Sequence, residues 1–303
     1  MRGIRRLAML TALATYGLIV LGAVVRITGS GMGCGDHWPM CNGRLIPSLG
    51  DLPTAIEWTH RLAALVVSAL VVGLAGLVVA RRAEPGVPGP GGPLPPALLA
   101  VALLATQVML GAVTVWLELP PITVLLHLAA AMALLGAVMI TGLRAGADRT
   151  APPTGEGRRG ALAAASLGAL TILLGGVTAS TGAGHACQGF PLCSGQLWPA
   201  GESGLPVIHW IHRLLAYALL AYLVIYAQRA APRLPGRVAR LAWLALGCTV
   251  AQVLVAAAMV WLALPSGWRA LHVAVGTAVW AVLVWWVWAA GAPRPRHARA
   301  GTS

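Results

Sequence analysis

The sequence predicts an all-α integral membrane protein: eight transmembrane helices forming two tandem four-helix bundles, related by a pseudo-twofold axis along the membrane normal. Three observations carry this expectation. The 303-residue chain is 58% hydrophobic and only 10% charged. Its apolar runs reach about 20 residues, enough to cross a hydrocarbon core of about 30 Å. It also says the same thing twice. GAVVRITGSGMGCGDHWPMC from Gly22 is followed by EWTHRLAALVVSAL from Glu57; GGVTASTGAGHACQGFPLC from Gly175 is followed by HWIHRLLAYALL from His209. Each copy then adds a Gln, an apolar run, a Pro and a His: Gln107, Pro120 and His127 in the first, Gln252, Pro265 and His272 in the second.

The spans are expected over 7–25, 57–80, 97–116, 122–143, 160–178, 207–228, 238–260 and 269–290. The first has a basic start like a secretory leader, but its end is copied at the fifth span, so it reads as retained. The stretch EPGVPGPGGPLPP from Glu84 cannot be helix and reads as a linker between spans two and three. Two long loops, 26–56 and 179–206, carry cysteines. Short turns around Pro120 and Pro265 join spans three to four and seven to eight. Four spans per repeat give both halves one orientation, the parallel kind of repeat. The expected divisions are an amino-terminal half over 1–144, a linker over 145–159, a carboxy-terminal half over 160–291 and an Arg-rich tail over 292–303.

The net charge of +13 does not point to nucleic acid, because its placement is topological. All 21 basic residues are Arg. They cluster before the first span and after the second, fourth, sixth and eighth. The opposite loops hold only Arg26, Arg44 and Arg269. This bias places both termini in the cytoplasm and the cysteine loops outside a cytoplasmic membrane, with the arginines against anionic lipid.

Histidine is costly inside a membrane. His60 and His212 fall just inside the outer ends of spans two and six, and His127 and His272 just inside those of spans four and eight. Each half thus offers two imidazoles at one depth on two parallel helices, a natural axial pair for haem iron. A single such His is as readily a hydrogen-bond bridge between helices; four in register argue for ligation. Zinc is disfavoured for want of three or four clustered ligands. His209 sits one turn before His212 where the first half has Glu57, so it reads as a supporting residue. His37, His185 and His297 fall outside the spans and read as solvent-exposed.

The halves differ. Glu57 shares a helix face with His60, and Arg26 matches Ala179. A carboxylate beside a haem pocket can move protons, so the first half is expected to hold a substrate and the second a permanent cofactor. Against this, Glu57 is equally an acid favoured at a helix N-terminus. Arg61 and Arg213 could pair with haem propionates or snorkel outward. An oxidising outer compartment favours local disulfides Cys34–Cys41 and Cys187–Cys193. The second reads as structural; the first is open between structural and redox roles. Cys248 reads as a small buried apolar residue.

Together VVRITGSGMGCGDHWPMCNG, EWTHR, GAGHACQGFPLCSG, HWIHRL, His127 and His272 resemble the heme A synthase family, in its cysteine-bearing bacterial form. The resemblance covers nearly all spans. It implies oxidation of the C8 methyl of haem O to a formyl group through a hydroxymethyl intermediate. It places substrate haem iron between His60 and His127, with Glu57 beside it as a catalytic residue. It places haem b between His212 and His272, relaying electrons to an outside partner such as the quinone pool. Haem O synthase and a terminal oxidase under assembly are the implied neighbours. Two other classes compete: a diheme electron carrier, which leaves Glu57 unexplained, and a haem transporter, which needs polar residues at mid-membrane that the spans lack.

Overall fold

The computed structural model describes residues 1–89, 91–146, 157–199 and 203–291. Eight long helices order the chain: α1 (Arg2–Ile27), α2 (Leu52–Ala80), α3 (Leu94–Trp116), α4 (Pro121–Ala145), α5 (Arg158–Ser180), α6 (Leu205–Arg229), α7 (Gly236–Trp261) and α8 (Ser266–Gly291). All eight are long and apolar enough to span a membrane, so the protein is a multi-pass membrane protein. No strand occurs among the described residues beyond two isolated bridges. Most of the linker and all of the tail, with His297, lie outside the described residues.

Each helix contains its expected span and runs a few residues past it. Hydropathy falls where the chain reaches the polar boundary, but backbone hydrogen bonding continues. One expectation needs correction. The proline-rich stretch is not wholly linker, because Leu94, Pro95 and Pro96 open α3. Proline is tolerated in a first helical turn, where its missing N–H has no partner to lose. Asp51 caps α2, its carboxylate accepting from the Thr54 N–H at 2.9 Å. That bond holds the Asp51 carboxyl below its ordinary pKa.

In the first half α1 packs on α2 and α4, and α3 closes the ring between them; α5 to α8 repeat the arrangement. The halves meet where α4 touches α5 and α8 touches both α1 and α4. Small residues let these helices approach closely. A Cβ on Gly176 of α5 would stand 2.9 Å from Leu128 of α4, and one on Gly136 of α4 would stand 3.7 Å from Val284 of α8. Two long-range hydrogen bonds cross the seam: Tyr16 donates to the Ala274 carbonyl (2.8 Å), and the Trp280 indole donates to that of Met132 (2.9 Å).

The two cysteine loops match each other closely. Each follows its helix with a one-turn 3-10 segment, Ser30–Met32 or Ala183–His185. Each then makes a tight turn, at Asn42-Gly43 or Ser194-Gly195, with both residues left-handed. Trp38 meets Trp116 edge-on with centroids 6.0 Å apart, and Phe190 meets Trp261 at 5.9 Å. Next to those tryptophans, α3 and α7 end in paired left-handed residues, Glu118-Leu119 and Ala263-Leu264. The Leu119 N–H reaches back to the Thr114 carbonyl and the Leu264 N–H to that of Met259, both at 2.8 Å. These are helix-closing motifs usually built on glycine.

Gly33 sets how closely the first loop lies on α2. A Cβ there would overlap the Pro53 carbonyl and stand 2.7 Å from the Thr54 nitrogen. Both are backbone and cannot rotate away. Gly33→Ala is expected to lower stability by about 1–3 kcal/mol, the usual cost of overpacking, in thermal melts of the solubilised protein. Ala186→Gly, at the matching position, is the control expected to lack this penalty.

Candidate functional site

The four histidines lie at one level. His60 is the ninth residue of α2, His212 the eighth of α6, and His127 and His272 the seventh of α4 and α8. At about 1.5 Å per residue, each lies about 10 Å along its helix from the cysteine-loop end.

In the second half the two imidazoles lie close together. The His212 and His272 rings face each other with centroids 6.5 Å apart and planes at 77°. Two imidazoles sharing one iron, each bonded at about 2.0 Å, hold their centroids about 6 Å apart. The spacing therefore fits a haem iron. His212 Nδ1 lies 3.0 Å from the Thr171 carbonyl of α5. Donation there leaves Nε2 free to ligate. The approach is possible because Gly175 has no side chain; a Cβ there would stand 2.9 Å from His212 Cε1. Across the site, the Gln252 amide nitrogen of α7 donates to the His272 carbonyl (3.0 Å) and lies 3.1 Å from its Nδ1.

The first half has the same parts in a looser state. A Cβ on Gly22 of α1 would stand 3.1 Å from His60 Cε1, and one on Gly111 of α3 would stand 3.5 Å from His127 Cε1. His60 and His127 are electrostatic neighbours. Yet His60 Nδ1 and His127 Nδ1 are buried with no hydrogen-bond partner, while the side-chain oxygens of Gln107 and of its counterpart Gln252 are both left unpartnered. Buried polar atoms are seldom left so, and two orphaned imidazole nitrogens facing one bundle suit a ligand iron. No cluster of three or more His, Cys, Asp or Glu side chains forms a metal site among the described residues.

Glu57 is buried, 4% exposed. Its Oε2 accepts the Cys34 backbone N–H at 2.8 Å, and its Oε1 accepts Arg61 Nε at 3.0 Å and Nη2 of the same guanidinium. Arg61 also donates to the His37 carbonyl (3.0 Å) and the Met40 carbonyl (2.8 Å). In the second half His209 and Arg213 do the equivalent work. His209 Nδ1 lies 3.0 Å from the Ala183 carbonyl, its Nε2 accepts from Arg213, and Arg213 donates to the carbonyls of Gly189, Leu192 and Cys187. Both ring nitrogens of His209 are thus occupied. Arg61 Nη1 and both Nη groups of Arg213 donate to the loops, while the remaining donors hold Glu57 and His209. Each loop carries its disulfide, Cys34–Cys41 or Cys187–Cys193, with Cα atoms 4.4 and 4.7 Å apart. Cys248 is unpaired and half-buried in α7. His37 and His185 are exposed. Arg26 at the end of α1 is an electrostatic neighbour of Arg269 of α8.

A family model described as cytochrome oxidase assembly protein matches residues 5–284. The chain is 31% identical to the heme A synthase of Alkalihalophilus pseudofirmus, over 73% of this chain and 75% of that one. It belongs to the heme A synthase family. A second heme A synthase, from Halalkalibacterium halodurans, is 32% identical over 74% of this chain and 75% of its own length. Membership makes this chain an oxidoreductase of the haem pathway. It is also 32% identical, over 88% of its length, to a Thermus thermophilus protein named protoheme IX farnesyltransferase, of which the match covers 45%.

The glycines opposite the histidines, Gly22 and Gly175, were not singled out by sequence reasoning, although each opens one copy of the repeat. Their in-register recurrence was the available signal. The Thr171 carbonyl had no signal, since a backbone group has no letter of its own.

Proposed function

We propose that this member of the heme A synthase family oxidises the C8 methyl of haem O to a formyl group through a hydroxymethyl intermediate, giving haem A. The substrate haem binds in the amino-terminal half, 1–144, between His60 and His127. Haem b binds in the carboxy-terminal half, 160–291, between His212 and His272. The observation that carries this reading is the opposed imidazole pair at 6.5 Å in one half, beside an unpartnered pair in the other.

Bound haem b would supply one-electron transfer between the substrate site and an external acceptor such as the quinone pool. The chain's own residues bind, orient and exchange protons. Glu57 lies one turn from His60, so its carboxylate can take a proton released beside the substrate. The Cys34 N–H and Arg61 hold it in place. Arg61 and Arg213 support haem binding by holding the loops against the histidine-bearing helices, α2 and α6. Cys187–Cys193 pins its loop; Cys34–Cys41 does so while lying one hydrogen bond from Glu57.

The arginine distribution orients both termini toward the cytoplasm and the cysteine loops outward, in the cytoplasmic membrane. The two halves are then related by a pseudo-twofold axis along the membrane normal. The Thermus match, covering 45% of its relative, supports a place beside the enzyme that makes haem O. A terminal oxidase is the recipient of haem A.

Pigment extraction from the purified protein tests the whole reading. Haem O or haem A should accompany haem b. Two equivalent haem b per chain would instead identify a diheme electron carrier.

A further inference from the structure

Beyond Arg61 and Arg213, three arginines lie toward the cysteine-loop end of the bundle: Arg26, Arg44 and Arg269. Arg44 is exposed in its loop, whereas Arg26 and Arg269 are half-buried on helices. Arg26 is the last residue but one of α1, and Arg269 lies in the first turn of α8. These two helices pack together across the seam, and the two side chains are electrostatic neighbours. Neither guanidinium donates a hydrogen bond or pairs with a carboxylate among the described residues. Two half-buried cations held near each other without a counter-charge are unfavourable. Snorkelling to water would leave them exposed, as Arg44 is.

Helix periodicity sets each of them over a histidine. Arg26 follows Gly22 by four residues, so it lies on the same face of α1, about one 5.4 Å turn nearer the loops. Gly22 is the residue against which the His60 ring packs, since a Cβ there would stand 3.1 Å from His60 Cε1. Arg269 precedes His272 by three residues and shares its face, again about one turn nearer the loops. The equivalent contact between the halves, α5 on α4, has Ala179 and Val124 at the matching positions. The paired cations thus stand on one side of the seam only.

We propose that Arg26 and Arg269 form a carboxylate site at the loop end of the seam that takes porphyrin propionates, Arg26 one from the substrate haem and Arg269 one from haem b. The proposal rests on the division of haems between the halves and adds what orients each ring about its iron. A porphyrin ligated about 10 Å below the loop end turns its carboxylates toward that end, because charge in hydrocarbon is costly. Arg61 and Arg213 are already occupied there, by Glu57, His209 and the loop carbonyls. Arg26 and Arg269 keep their forks open for charge-assisted pairing with a carboxylate. The C8 methyl of haem O shares a pyrrole ring with one propionate. A hold on the propionates therefore fixes where that methyl lies.

Haem O, and haem O with both propionates esterified, are titrated into the full-length protein purified with its haem b. The wild type should bind the free acid about 10–100-fold more tightly than the diester, the worth of a charge-assisted hydrogen bond. Arg26→Gln should bind both with the affinity of the diester. Arg26→Lys keeps the charge and should recover part of the preference. Arg269→Gln should retain haem b at a lower midpoint potential, because removing a cation from the edge of a haem favours its ferric state. Arg44→Gln should match the wild type in both measurements. Retained haem b shows that each variant has folded. A wild-type preference for the acid in Arg26→Gln, or a wild-type potential in Arg269→Gln, would overturn the proposal. Loss of co-purified phospholipid phosphorus in place of these changes would identify a lipid headgroup site and overturn it as well. Haem O binding that survives in His60→Ala would instead overturn the division of haems, and the proposal with it.

Discussion

His272→Ala is expected to purify without haem b. Its imidazole is one of two that face each other at 6.5 Å, and no other described His lies in position to replace it. His209, an electrostatic neighbour of His272, has both ring nitrogens committed to Ala183 and Arg213. Losing a group behind a ligand costs about 10–100-fold in affinity, so losing the ligand itself costs more. His212→Ala should behave alike. His60→Ala and His127→Ala should retain the haem b spectrum and form no haem A. The pyridine haemochrome of each purified variant, per mole of protein, decides the matter. Retention of a full six-coordinate haem b spectrum in His272→Ala would end the assignment of the second half.

Glu57→Ala is the second large effect. Haem b should remain, and haem A should be absent from extracted pigment. Removal of the carboxylate also strands Arg61 and the Cys34 N–H. Breaking such a buried pair costs about 3–5 kcal/mol, so loop loosening will accompany the chemical loss. Glu57→Gln separates the two. Its amide oxygen can still accept the Cys34 N–H, but it cannot take a proton at neutral pH. A catalytic carboxylate predicts that Glu57→Gln keeps the loop protected from protease and makes no haem A. Near-normal haem A from Glu57→Gln would reduce Glu57 to a fastener of the loop. Unchanged yield from Glu57→Ala would remove the chemical basis for the substrate half altogether.

The spans were legible because apolar runs of that length have one use, and the duplication showed which residues to pair. His60, His127, His212 and His272 stood out because their type is rare at that depth and their order recurs. Arg61 and Arg213 did not reveal their partners. Their hydrogen bonds run to carbonyls of His37, Met40, Gly189 and Leu192, and a loop's backbone path is not encoded in any periodic pattern. Gly22 and Gly175 were hidden differently: with 37 glycines in the chain, two more small residues carried little contrast. Leu94, Pro95 and Pro96 were misjudged because a proline run says where a helix cannot continue, not where one can begin.

The Tyr16–Ala274 and Trp280–Met132 bonds fasten α8 to the opposite half on either side of one helical stretch. Ala274 is two residues from His272. These bonds fix the interval between the two histidine pairs across the seam, and with it, on the proposed division of haems, the interval between the two porphyrins. Tunnelling rates fall steeply with separation, so under the proposed function a rigid span gives the same tempo to each electron withdrawn, in the first oxidation step and in the second.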